Sequence, residues 1–138
     1  MGKTIVEYTG GMGFTGKVAS GHDVFMDAGE ASGGVDSAPR PVEVLLSSLG
    51  GCTGMDVIAV LRKKKTSPDS LEIEIVDERA PEYPKVITKI HLIYRVTGDV
   101  PEENLVKAIE LSLAKYCPIA NTLAGVAQIS YEYAIDAS

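Results

Sequence analysis

Two side chains in this 138-residue protein can act as strong nucleophiles and as reversible redox groups: Cys52 and Cys117. Cys52 stands in Leu46-Ser47-Ser48-Leu49-Gly50-Gly51-Cys52-Thr53-Gly54, behind two glycines within an otherwise apolar segment. Cys117 stands directly before a proline, in Ala114-Lys115-Tyr116-Cys117-Pro118. A thiolate attacks a peroxide or a disulfide, and a second thiol can condense with the product to close a disulfide. The commoner use of a single free cysteine is as a small buried hydrophobe. Three features weigh against that use here. Gly50 and Gly51 each cost a helix about 1 kcal/mol relative to alanine, which suits a place where something approaches the backbone closely. Thr53 and Gly54 continue the low bulk. Pro118 frees the local backbone from helical geometry, so Cys117 can project from a break and move toward a partner.

Glu43 is the remaining polar group of interest near Cys52. Taken alone it reads as a carboxylate favoured by the positive end of a helix. Nine residues separate it from Cys52, about two and a half helical turns, so the two do not share a face of a straight helix. Neither cysteine belongs to a Cys-x-x-Cys pair, and the chain has two histidines. No metal-ligand set is read from those residues, and no metal or bound cofactor is expected. His22 falls in a turn and His91 on a strand, and both read as structural or surface residues.

The elements that must position these groups follow from periodicity. Residues about 3–27 read as a meander of three short strands with Gly10-Gly11 and Ser20-Gly21-His22-Asp23 as turns. A glycine-rich loop leads to Pro41, which suits a first helical turn. The central helix runs about 41–64, apolar on nearly every face, and so is expected to be buried on most sides. Arg62-Lys63-Lys64-Lys65 reads as its solvated end, where cations suit the helix dipole. Two strands fill about 71–96, with Leu71, Ile73 and Ile75 on one face of the first. Helices occupy about 100–124, with Asp99 as cap and Glu102 three residues on. Pro118 interrupts them, and a last strand covers about 127–135. The order is that of an α+β fold with helices packed on antiparallel sheet, in one domain over 1–138. The helix offers more apolar surface than one small sheet can cover, so a second subunit is expected.

The net charge of −6 and 45 % hydrophobic content fit a globular chain and point away from nucleic acid. No N-terminal segment resembles a signal peptide. Residues 42–61 carry Glu43, Asp56 and three glycines, so no membrane association is expected. A cytoplasmic setting follows, in which the thiols are free or form a redox couple rather than a permanent disulfide.

Pro-Val-Glu-Val-Leu-Leu-Ser-Ser-Leu-Gly-Gly-Cys (Pro41 to Cys52) and Lys-Tyr-Cys-Pro-Ile-Ala-Asn-Thr-Leu (Lys115 to Leu123) resemble the two cysteine motifs of the OsmC/Ohr family. These are the osmotically inducible and organic-hydroperoxide-resistance proteins, and the likeness is greatest to the small OsmC-like branch. The resemblance covers nearly the whole chain. It implies an OsmC-like fold, an intertwined homodimer with the cysteines near the subunit interface, and a thiol peroxidase for organic hydroperoxides serving oxidative-stress defence. In that mechanism Cys52 attacks the peroxide, Cys117 resolves the sulfenic acid, and an external thiol or dithiol restores both. Glu43 matches the family's carboxylate, which orients a cation. The family's arginine lies on a strand of the meander, whereas this chain has no arginine before Arg40. Lys17 matches best by position, with Arg40 and Arg79 as other possible activators. A lysine lacks the guanidinium fork that a carboxylate holds bidentate. Two further readings stay open: a non-catalytic small-ligand-binding or redox-sensing protein with little turnover, and a protein in which both thiols are inert core residues.

Overall fold

The computed structural model describes residues 2–137. The chain divides into two compact units, residues 1–47 and 48–138, and helix α1 runs through the division. In the first unit, β1 (Ile5–Gly10), β2 (Gly13–Lys17) and β3 (Asp23–Met26) form an antiparallel meander in that order. The expected turns appear, with Gly10, Gly11 and Gly21 at positive φ.

The loop after β3 is organised by one buried carboxylate. Asp27 accepts hydrogen bonds from the backbone N–H groups of Ala28 (2.7 Å), Val35 (3.2 Å) and Ser37 (3.0 Å), and from the Ser37 hydroxyl (2.8 Å). These donors, Ser37 first, hold its carboxyl at about 2, below the usual 3.8. The knot requires glycine at position 34, where a Cβ would stand 2.1 Å from the carbonyl oxygen of Ala28.

Helix α1 spans Pro41–Lys63. Pro41 takes the first helical position, as its fixed φ suggests, and the cations Arg62 and Lys63 lie in the last turn. Within the second unit its buried residues are Leu49, Thr53, Val57 and Leu61, a stripe at four-residue spacing. Within this single chain the helix is buried along that stripe, and Met55 is 76 % exposed. By length and composition alone, α1 is long and apolar enough to cross a membrane, a test that the core helix of a soluble protein also meets.

The second sheet is β4 (Ser70–Arg79), β5 (Ile87–Thr97) and β6 (Gln128–Asp136), with β5 in the middle. Ile90, Leu92, Tyr94 and Val96 alternate inward along β5 and are buried, the face their period of two predicts. α1 comes close to this sheet at Gly50 and Gly54. A Cβ there would meet the Cδ1 atoms of Ile75 at 3.0 Å and Ile73 at 3.3 Å. The expectation of purely antiparallel sheet fails at one pair, since β5 and β6 run parallel. Residues 98–127 form a crossover through α2 (Glu102–Leu111), a π-helical turn (Ser112–Tyr116) and α3 (Pro118–Leu123). A connection of that length can return a strand parallel to its neighbour. The Asp99 cap is also corrected: Pro101 occupies the N-cap of α2 without a side-chain hydrogen bond, and its carbonyl accepts from Asn104 and Leu105.

Asp27→Asn is expected to lower the unfolding midpoint at neutral pH. Because the folded carboxyl has a depressed pKa, its contribution is present above about 3.8 and is lost as pH falls toward about 2. Denaturant melts from pH 7 downward should show the gap between wild type and variant closing over that window. A gap independent of pH would contradict the assignment.

Candidate active site

Cys52 lies in the middle of α1 and is partly exposed, whereas Cys117 is fully buried. The fold brings them together within the second unit. The sulfurs of Cys52 and Cys117 and a carboxylate oxygen of Asp56 all lie within 4.8 Å of one another. Asp56 follows Cys52 by four residues, one helical turn on the same face.

Cys117 is placed by the crossover. Its backbone N–H donates to the carbonyl of Ser112 (2.8 Å), five residues back, and closes the π-helical turn. Such a turn carries one residue more than an α-helical turn and occurs often at functional sites. Pro118 then opens α3, leaving Cys117 as an extended N-cap residue whose sulfur accepts the N–H of Ala120 at 3.3 Å. Burial, with the Cys52 thiol beside it, pushes the Cys117 thiol up to about 11 against the N–H groups of Ala120 and Ile119. Cys117 is therefore a protonated thiol at neutral pH. Of the two cysteines, Cys52 is the one that is partly exposed.

A chain of hydroxyls fixes this arrangement. Ser112 Oγ donates to Asp56 Oδ2 at 2.9 Å. Thr53 Oγ1 lies 2.7 Å from Ser112 Oγ and 2.8 Å from the Tyr94 hydroxyl. Each hydroxyl has a single proton. With the Ser112 proton committed to Asp56, Thr53 must donate to Ser112, and Tyr94 to Thr53. Burial pushes the Tyr94 phenol up to about 12, so it keeps the proton that starts the chain. The four residues tie β5, α1 and the π-helical turn together around the two thiols.

The other candidates named from the sequence have partners of their own. Glu43 sits in the first turn of α1 and accepts the backbone N–H of Arg40 at 2.9 Å, the reach-back of a capping box. The Arg40 guanidinium pairs with Asp36. Lys17 on β2 lies 3.7 Å from Glu7, with both side chains exposed. Lys17, Arg40 and Glu43 belong to the first unit. Arg79, at the end of β4, lies 3.8 Å from Asp77. His91 lies between Ser130 and Glu132 on the exposed sheet face, and His22 pairs with Ser20.

Asp56, Thr53, Ser112 and Tyr94 were not singled out from the sequence. A usable signal exists for Asp56: it is a lone carboxylate in an apolar helix, one turn from a cysteine. The metal reading likewise counted only cysteines and histidines, and the fold adds a carboxylate to the two sulfurs. Thr53→Val is expected to destabilise the protein by about 1–3 kcal/mol, because it leaves two buried hydroxyls each short of a partner. Denaturant unfolding measures this, and a cost near zero would mean that the chain does not hold the site.

Residues 34–132 match the family model described as OsmC-like protein. The chain is 34 % identical to Protein YhfA of Escherichia coli strain K12, over 96 % of this chain and 97 % of that one. A hypothetical protein of Aquifex aeolicus is 27 % identical with a TM-score of 0.82, covering 98 % of this chain and 97 % of its own. The organic hydroperoxide resistance protein OhrB of Bacillus subtilis shares the fold at 15 % identity, with a TM-score of 0.65 over 96 % and 98 % of the two chains. With its two cysteines close together on an α+β frame, the chain belongs to the OsmC-like protein family.

Proposed function

We propose that this protein is a thiol-dependent peroxidase that reduces organic hydroperoxides through Cys52 and Cys117. The observation that carries the reading is the pair of neighbouring sulfurs, one on a partly exposed residue and one on a buried residue. The name of the Bacillus subtilis neighbour lends support. The Cys52 thiolate attacks the outer peroxide oxygen, the O–O bond breaks, and the alkoxide leaves as alcohol after taking a proton. Cys52 becomes a sulfenic acid. Cys117 loses its proton, for which the Asp56 carboxylate is a nearby acceptor, and attacks the Cys52 sulfur. Water leaves and the disulfide closes. An external dithiol returns both residues to thiols by exchange, so the cycle needs no bound cofactor.

Open space beside Gly51, where a Cβ would meet nothing within 4 Å, leaves room next to Cys52. The apolar character of the surrounding helix suits alkyl or lipid peroxides. Thiol attack is faster when a cation favours the thiolate. Arg40 is paired with Asp36 and Arg79 with Asp77 at 3.8 Å, so each of these guanidinium groups is held by a carboxylate close to it in the chain. The apolar residues that α1 leaves exposed, Met55 and Leu45 among them, support a homodimer, and free thiols support a cytosolic setting. Sedimentation of the reduced protein should give twice the chain mass; a monomer at micromolar concentration would remove that part of the reading.

A second reading, a redox sensor with little turnover, is favoured by Cys117 itself. A fully buried, protonated resolving thiol suits a single slow oxidation better than rapid cycling.

Intact mass and thiol counts before and after one equivalent of cumene hydroperoxide test the assignment. Wild type should lose two hydrogens. Cys117→Ser should trap a sulfenic acid at Cys52, and Cys52→Ser should consume no peroxide. Two thiols still titratable in the unfolded, peroxide-treated wild type would overturn the peroxidase reading. Oxidation without turnover in excess dithiol would select the sensor.

A further inference from the structure

We propose that Cys52, Cys117 and Asp56 form a binding site for a divalent cation of the zinc class, and that binding and disulfide formation exclude one another. The inference goes beyond the peroxidase reading and does not need it. Zinc is held by thiolates at about 2.3 Å and carboxylate oxygens at about 2.0–2.2 Å in tetrahedral sites. Ligand atoms around such an ion stand about 3.5–3.8 Å apart. The two sulfurs and the Asp56 oxygen already lie within 4.8 Å of one another, so small side-chain rotations close the site.

Charge points the same way. Binding displaces the Cys117 proton, and two thiolates and a carboxylate then carry three negative charges, while among the described residues no ion pair is made to Asp56. A soft cation supplies what the protein does not. Two thiolates select against magnesium and calcium, which prefer all-oxygen shells. The surrounding donors are those a metal site requires: Ser112 Oγ holds one oxygen of Asp56, and Ala120 N–H holds the Cys117 sulfur. Cys52 and Asp56 are partly exposed, which gives the ion an entry path and leaves the fourth position for water.

Metal and peroxide compete for the same sulfurs. When the metal-bound pair is oxidised, two electrons from the thiolates pass to the peroxide O–O bond. One oxygen leaves as alcohol and the other as water, with two protons from solvent, while the sulfurs join and the divalent ion is released. The ion thus protects the reduced thiols, and oxidation discharges it.

The test is a titration of the reduced full-length protein with Zn2+ alone, against a chromophoric chelator. One ion per chain is expected. Affinity should fall at least about tenfold in Asp56→Asn and further in Cys52→Ser, whose partly exposed position makes misfolding a smaller risk than at buried Cys117. Co2+ should give a thiolate charge-transfer band in wild type. Oxidation of the pair by oxidised glutathione, which does not depend on peroxidase activity, should release the bound zinc. Wild type binding no better than Cys52→Ser, or Asp56→Asn binding like wild type, would overturn the proposal. One tightly bound zinc in a protein that ignores hydroperoxide would uphold the metal site and sink the peroxidase reading.

Discussion

The hydroxyl chain from Tyr94 through Thr53 and Ser112 to Asp56 holds the rest of the site in place. It joins the middle strand of the second sheet, the central helix and the crossover. All three elements must be in register for it to form. Buried hydroxyls without partners are costly, so a crossover displaced by one residue would strand two of them. The π-helical turn absorbs one residue between Ser112 and Cys117, where an α-helical turn would set Cys117 at a different angle to Ser112. The proximity of the two sulfurs is thus a consequence of polar satisfaction in the core.

The same packing separates the roles of the thiols. Both are cysteines of one sheet-and-helix unit, yet one is partly exposed and the other buried. Burial keeps Cys117 protonated, and the N–H of Ala120 fixes the direction of its sulfur. Cys52 owes its freedom to glycine: Gly50 and Gly54 let α1 lie close to Ile75 and Ile73, while the space at Gly51 stays open. A helix seated by its small residues can carry a nucleophile on a side that larger residues would have filled. Asp56, one turn on, adds a negative charge that no cation among the described residues balances. Whatever occupies the site, whether proton, metal ion or sulfenic oxygen, does so in a field set by that carboxylate.

Local chemistry was legible from the sequence wherever one residue type dictates the backbone. Pro41 opening the helix, the break at Pro118, the glycine turns of the meander and the period-two faces of β4 to β6 all follow from sterics and alternation. The family was legible in the two motifs, and through that resemblance so was the nearness of Cys52 to Cys117. The tertiary structure decided what those rules leave free. Whether β6 runs parallel depends on where a thirty-residue crossover lands, and no local propensity encodes that. The exposure of Met55 depends on which stripe of an all-round apolar helix meets the sheet. Asp56 became part of the site only because a residue 56 positions away, Ser112, turned its hydroxyl inward. Side chains brought together by long-range packing leave no spacing to read, whereas those set by the backbone of a single segment do.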